Sequence, residues 1–348
     1  MDFSLSPDQI LFRDSVDRFF NETFTKEDGR DKAVDWQALV DMGLTAAPFP
    51  DSMGGTGANT IDLMFVANGI GRTLTTAPFL PCVVMAGHIL RDCANVPGIQ
   101  PLIEALTNGT RKIAFAELSS GSITQTGTSS IVSGEARLVL EGSADVLILA
   151  SANHDKLVII EGKAKGVTCS PFTTLDKREA ADLIFSNVAV NSIIAEGHQA
   201  QQMIARAQRT MKALLCAEAC GAMQATLELT LDYVRTRKQF GRPIGSFQAL
   251  QHRLVDMRIA YDLADTQTRV AIMAVEEADS PTIVRLSAAA HAQVVKAARL
   301  IAEEAIQMHG GMGMTEECRA GKFAKRLITL SILLGSEDSA IENFLLSA

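Results

Sequence analysis

Apolar side chains recur along this sequence with two different periods, and the places where the period changes predict its organisation. Near the start, Ile10, Leu11, Val16, Phe19 and Phe20 fall at three- and four-residue spacing, as one buried helix face requires. Ser6-Pro7-Asp8-Gln9 supplies the opening: a serine N-cap, a first-turn proline, and a glutamine placed to close a capping box. A second helix is predicted over 35–42, ended by Gly43, with Pro48-Phe49-Pro50 as a connector. Further helices are predicted over 60–74, 82–89 and 101–106. From Arg111 onward the runs 112–117, 131–133, 138–140, 146–150, 157–160 and 182–185 are short and strand-like, separated by Gly, Ser, Asn and Asp turns.

After Ile194 the helical period returns over 200–237, 248–277, 282–308 and 321–334. Leu214, Leu215, Met223, Leu227, Leu231 and Val234 line one such face, and Leu250, Leu254, Met257 and Tyr261 line the next. Ser280-Pro281 reads as N-cap and first-turn proline of the third helix, whose Ala288, Ala289, Ala290 and Ala297 suit close packing. The expected fold is mainly α with a central β domain: an N-terminal helical domain over 1–109, a small antiparallel β barrel or sandwich over 110–195, and a C-terminal four-helix bundle over 196–348.

Composition narrows the function classes. The 348 residues are 47% hydrophobic and 21% charged, ordinary for a globular chain. A net charge of -8 argues against a nucleic-acid or anionic-membrane surface, either of which needs a basic face. The start, Met1-Asp2-Phe3-Ser4, lacks a signal pattern, and no apolar run approaches the roughly 18 residues of a membrane span, so a cytoplasmic protein is expected. The six cysteines, Cys82, Cys93, Cys169, Cys216, Cys220 and Cys318, are scattered without metal-ligand spacing and are expected as reduced thiols. Gly54-Gly55-Thr56-Gly57 follows no strand and lacks the third glycine of a dinucleotide fingerprint, so it reads as structural.

The least ordinary stretch is Arg237-Lys238-Gln239-Phe240-Gly241-Arg242-Pro243-Ile244-Gly245-Ser246-Phe247-Gln248, between two long helical patterns. Two glycines bracket a proline that cannot continue a helix, so the chain must turn and present cations and two phenylalanines at the corner. Such a corner is either an ordinary tip with its rings folded back, or a docking tip offering a guanidinium and an aromatic ring to a phosphate-bearing ligand or a partner.

This stretch, with the Gln251-His252-Arg253-Leu254 that follows, resembles the loop between the long C-terminal helices of acyl-CoA dehydrogenases. Ile306-Gln307-Met308-His309-Gly310-Gly311-Met312-Gly313 is similar to the Q-x-x-G-G-x-G segment of the same family, and the order of helices, strands and helices matches as well. The resemblance implies FAD, bound partly across a subunit interface. It assigns Arg237 to the pyrophosphate, Phe240 and Gln248 to packing or hydrogen bonding near the cofactor, and Gln307 and Gly311 to its adenosine end. It also implies α,β-desaturation of an acyl-CoA thioester, which needs a carboxylate base for the α-proton. His252 and His309 flank the two segments and read as packed or solvent-facing rather than catalytic.

The sequence departs from the family where its catalysis resides. The glutamate of the Y-E-G-T-like segment falls on Leu334, and the alternative position, counted back from Arg237, falls on Met211. Neither side chain takes a proton; Glu337 and Glu218 are the nearest stand-ins. On the flavin's own-subunit side, Ala116 replaces the threonine of a T-E-P-x-x-G-S-like segment, and Arg137-Leu138-Val139-Leu140 supplies leucines where an aromatic and a hydroxyl are usual.

The pattern resembles the partner subunit of heteromeric (α2β2) acyl-CoA dehydrogenases of bacterial steroid and bile-acid side-chain degradation, in which a companion chain carries the catalytic glutamate. Two other readings stand beside it. One is a self-sufficient homotetrameric enzyme using Glu337 or Glu218 as base; the other is a non-enzymatic scaffold or regulatory relative.

Overall fold

The computed structural model describes residues 3–24, 35–126, 129–276 and 281–346. The chain packs as two compact units: the described residues of Met1–Ala33, Asn59–Thr75 and Lys212–Ala348 form the first, and those of Val34–Ala58 and Thr76–Met211 the second.

In the first unit, α1 (Pro7–Phe24) opens with the expected capping box. The Ser6 backbone N–H donates to Gln9 Oε1 at 3.0 Å, and the Gln9 N–H returns to Ser6 Oγ at 3.2 Å. Helix α3 (Thr60–Thr73) has its own box through Asn59 and Asp62. Because α3 carries glycine at Gly71, its backbone lies directly on the next long helix. A methyl group there would overlap the Glu218 carbonyl, and one at Gly221 would overlap the Asn68 carbonyl. The other helices of this unit are the C-terminal part of α6 (Gly197–Thr236), α7 (Gln248–Glu276), α8 (Pro281–His309), α9 (Arg319–Leu334) and α10 (Glu337–Leu346). Ala288, Ala290 and Ala297 are buried where α8 meets its neighbours. The expected cap Ser280 lies outside the described residues, and α10 was not anticipated.

The second unit combines α2 (Trp36–Asp41), a π-helix over Phe79–Ala86, α4 (Gly87–Asp92), α5 (Gln100–Thr107) and the start of α6 with all of the strand structure of the central region. Asp35 caps α2 by accepting from the Ala38 N–H at 2.9 Å, and Gly43 ends it at φ 75°. The strands are β1 (Ile113–Glu117), β2 (Ser120–Thr126), β3 (Ser129–Leu140), β4 (Val146–Ala150), β5 (Lys156–Glu161), β6 (Val167–Thr173), β7 (Glu179–Ala189) and β8 (Ser192–Glu196). They form two four-stranded sheets, ordered β1-β4-β5-β8 and β2-β3-β7-β6. Ala114, Leu147, Leu149 and Val158 of the first and Val132, Ala136, Leu183 and Phe185 of the second share one buried core, so the sheets stack face to face.

Of the two arrangements expected, barrel or sandwich, the strands take the sandwich and do not close into a barrel. One expectation is corrected: the sandwich is not wholly antiparallel, because β1 pairs with β4 in parallel register, Ile113 opposite Val146. The runs at 131–133 and 138–140 belong to one strand, interrupted by a bulge between Ala136 and Val139. The glycine loop Gly54-Gly55-Thr56-Gly57 is accounted for by backbone geometry. Gly54 and Gly57 are left-handed, at φ 82° and 70°, and a side chain on Gly55 would strike the Phe49 and Ala46 carbonyls.

All six cysteines are free thiols. Burial raises the Cys216 thiol well above its usual range and brings Cys220 to about 12, so neither forms a thiolate at neutral pH.

Candidate functional site

The tip after α6 is a tight hairpin. Lys238–Gln239 (β9) pairs antiparallel with Arg242–Pro243 (β10), leaving Phe240 and Gly241 as a two-residue turn. Both have positive φ, 53° and 77°, the signature of a type I′ turn, whose first central position normally takes asparagine, aspartate or glycine. Holding a phenylalanine there costs about 1–3 kcal/mol, and the result is a ring that is 89% exposed. The loop is closed by the Ile244 N–H donating to the Arg237 carbonyl at 2.8 Å, and a 3-10 turn over Ile244–Ser246 leads into α7 at Gln248.

The two phenylalanines divide between the two readings of the tip. Phe247 is partly buried, with the Arg242 guanidinium 4.2 Å above its ring and Phe240 edge-on at 6.0 Å. Phe240 points outward. Arg237 and Gln248 are exposed, so the hairpin presents a cation, an aromatic ring and an amide on one rigid projection.

The second segment lies at the end of α8. Gln307 is on an exposed face of the helix, and Gly311 sits in the 3-10 turn Gly310–Met314 with no atom within 4 Å of where a side chain would begin. Its backbone is therefore open to close approach. The ends of α6 and α8 are joined by a pair that periodicity does not single out. The Tyr233 ring stacks on His309 at 4.3 Å, and its hydroxyl donates to the His309 carbonyl at 3.4 Å. His309 is buried and its Nδ1 contacts the Ala305 carbonyl at 2.8 Å, which makes it a packed residue, whereas His252 is exposed. Tyr233 stands one turn before Arg237 and His309 lies inside the Ile306–Gly313 segment, a placement with no shared spacing that could have signalled the link.

The base positions are apolar in space as well as in sequence. Leu334 is the buried last residue of α9, and Met211 packs against the core of the second unit. Glu218 is committed elsewhere. Its carboxylate meets Arg326 Nη1 at 2.7 Å with both side chains 1% exposed, and the same guanidinium donates to the Thr75 carbonyl at 3.0 Å and the Leu74 carbonyl at 3.2 Å. That pair binds α9 to α6 and to the end of α3, so Glu218 is a structural anion rather than a free base. Glu337 is partly exposed in the first turn of α10, on a groove of about 1010 Å³ that Gln307, Arg299, Glu303, Ile328 and Ile332 also line. Arg299 bonds Glu303 at 2.9 Å and feels the Glu337 charge as well.

In the sandwich, Ala116 is buried on β1 opposite Leu149. Leu138 occupies the β3 bulge at φ 51°, its N–H held by Asp182 Oδ1 at 2.9 Å. Neither side chain offers a donor to a polar ring. The outward-facing hairpin and glycine segment suit an FAD approached from outside the chain, while buried Ala116 and exposed Leu138 give the strands no donor for one held by the chain itself.

A protein that joins helical units to such a sandwich and carries both segments at one helix-bundle end is of the acyl-CoA dehydrogenase class. Family models for the acyl-CoA dehydrogenase N-terminal domain match residues 6–95, and those for the C-terminal domain match residues 199–345. The chain belongs to the acyl-CoA dehydrogenase family, oxidoreductases acting on acyl-CoA. Acyl-CoA dehydrogenase FadE34 of Mycobacterium tuberculosis is 27% identical over 85% of this chain, which spans 39% of that protein's length. Acyl-CoA dehydrogenase IpdE2 of the same organism is 28% identical over 86% of this chain and 81% of its own. Among solved structures, a chain of the ChsE4-ChsE5 complex from Mycobacterium tuberculosis superposes with a TM-score of 0.86 at 22% identity, covering 98% of this chain and 97% of that one. No helix among the described residues is long and apolar enough to cross a membrane.

Proposed function

We propose that this chain is the partner subunit of a heteromeric, FAD-dependent acyl-CoA dehydrogenase that desaturates an acyl-CoA thioester between its α and β carbons. The observation that carries this reading is an asymmetry. Arg237, Phe240 and Gln248 of the hairpin and Gln307 and Gly311 all face outward, as contacts to a neighbour's cofactor require, while Leu334 and Met211 leave both base positions without a proton acceptor. FAD accepts the hydride when bound. The part of this chain is to hold the cofactor's phosphates and adenosine end, the Arg237 guanidinium contributing about 1.5–3 kcal/mol as a charge-assisted contact. A companion subunit supplies the glutamate and the acyl pocket. The likeness to a subunit of a two-protein complex supports that division of labour, and the resemblance to steroid-degrading heteromers points to a bulky polycyclic acyl group.

Purification settles it. The chain alone is expected to be colourless and inactive, and to become yellow and active only when co-expressed with a companion acyl-CoA dehydrogenase chain bearing the missing glutamate. A yellow, active homotetramer would reject the proposal and favour Glu337 as an unusual base. A colourless chain that never becomes active with any candidate companion would favour a scaffold role.

A further inference from the structure

Tyr233 and His309 are 76 residues apart in the chain and meet where the two outward segments leave their helices. Their rings stack at 4.3 Å with 23° between the planes, and each residue is tied to one of the segments. On the hairpin side, the Tyr233 carbonyl accepts from the Arg237 N–H at 2.8 Å, so Arg237 stands one helical turn above the ring. The tip then folds back onto the same turn: a side chain on Gly245 would come within 3.0 Å of the Val234 carbonyl. On the other side, His309 ends α8 and its Nδ1 donates to the Ala305 carbonyl at 2.8 Å. A side chain on Gly313 would come within 3.1 Å of the His309 Cβ, so the turn carrying Gly311 is folded against the histidine.

Burial alone does not call for this pair. Tyr233 is only half-buried, and aliphatic side chains would cover the same apolar surface. What the stack adds is spacing, because two rigid rings, each held at a second point by a hydrogen bond, fix the separation of their backbones more narrowly than aliphatic contact does. The Tyr233 hydroxyl supplies one of those bonds, to the His309 carbonyl at 3.4 Å, and the imidazole supplies the other. A fixed separation matters to a ligand that touches both segments. Once its first group is bound, the second binds intramolecularly, at an effective concentration set by how well the spacing of the segments matches that of the ligand's two groups.

We propose that Tyr233 and His309 are positioning residues, whose stack holds the Arg237 hairpin and the Gln307–Gly311 segment at one separation. The two segments then grip the pyrophosphate and the adenosine of a dinucleotide as a single rim. The inference rests on the FAD contacts proposed above, though not on which subunit holds the rest of the flavin. Neither ring need touch the ligand; both act through the backbone that they fix.

The test uses the full chain without a companion and three probes: ADP, inorganic pyrophosphate and adenosine, titrated by calorimetry or NMR. Wild type is expected to bind ADP at least about ten-fold more tightly than either half. Tyr233→Leu keeps apolar bulk but removes the stack, and is expected to weaken ADP by about 5- to 10-fold while pyrophosphate and adenosine change by less than about two-fold. His309→Leu should do the same from the other helix. Tyr233→Phe retains the ring and gives up one long hydrogen bond, so ADP should stay within about two-fold of wild type. A pair that only stabilised the bundle end would instead weaken all three probes together. The proposal is overturned if wild type binds ADP no more tightly than its halves, if both leucine variants leave ADP binding unchanged, or if they weaken the halves as much as ADP. Failure of the partner-subunit reading is distinct: a yellow, active homotetramer would reject that reading and leave these ratios as they are.

Discussion

Glu218 and Arg326 face one another at 2.7 Å, each side chain 1% exposed, and the guanidinium also binds the carbonyls that end α3. An ion pair taken fully out of water is costly to break from one side, because the remaining charge stays buried. Arg326→Met is expected to destabilise the chain by about 3–5 kcal/mol. Glu218→Gln keeps a hydrogen-bonding partner for the guanidinium and should cost about 1–3 kcal/mol. Urea unfolding of each variant checks the order. A catalytic role for Glu218 would instead appear as lost activity in a Glu218→Gln protein of undiminished stability.

The same region has no room for a methyl group. Gly71→Ala would overlap the Glu218 carbonyl and crowd the Ala222 N–H, and Gly221→Ala would overlap the Asn68 carbonyl. Each is expected to destabilise by about 1–3 kcal/mol or more, since backbone meets backbone and no side chain can swing aside. Thermal unfolding followed at the helical signal reports the loss.

At the hairpin, stability and function should move in opposite directions. Phe240→Gly removes a left-handed phenylalanine and is expected to leave stability unchanged or raise it by up to about 1 kcal/mol. The same change should loosen flavin in the assembled enzyme. Arg237→Ala is expected to weaken flavin retention by about 10- to 100-fold, the equivalent of a charge-assisted bond. Arg237→Lys should recover only part, because an ammonium lacks the planar fork of donors. Flavin titration of the companion complex, paired with denaturation of the chain alone, separates the two effects.

Stability should fall in acid for an identifiable reason. Burial, with Arg91 adding to it, depresses the His88 imidazole to about 3, and burial with a contribution from Lys212 depresses His291 to about 4. The unfolded chain takes up these protons near 6.5, so below that pH it binds more protons than the folded chain. The stability both residues contribute is present above pH 6.5 and lost as the pH drops toward 3–4. His88→Gln or His291→Gln should flatten the dependence of melting temperature on pH over that window while lowering its plateau.

Much of the architecture could be read along the chain because it follows from local periodicity and caps. Helices α3, α6, α7, α8 and α9 begin and end within a few residues of their expected limits, α1 opens where its cap requires, and the Ser6–Gln9 box forms as its residues require. The strands that escaped notice are β2, β6 and β8. Ser120–Thr126 and Val167–Thr173 are outer strands of their sheet, rich in hydroxyls and without alternation, because an edge packed on one side needs little apolar surface. Helix α10 was missed because Glu337–Leu346 is short and its buried residue is a single alanine, Ala340.

For the site, the two motifs and the missing carboxylates were legible as residue types. Tertiary structure decided what those residues do. A glutamate two turns from Met211 is indistinguishable in sequence from a base; only the approach of Arg326, 108 residues later, makes it a structural anion. Phe240 and Phe247 stand seven positions apart on one tip, yet one is stacked under Arg242 and the other projects into solvent, because backbone torsions, and not residue type, aim the rings. Parallel pairing of β1 with β4 and the open sandwich likewise depend on partners distant in sequence. Local pattern determines which segments must bury a face. What each face is buried against, and hence whether a charge is spent on structure or left for chemistry, is settled only when the segments meet.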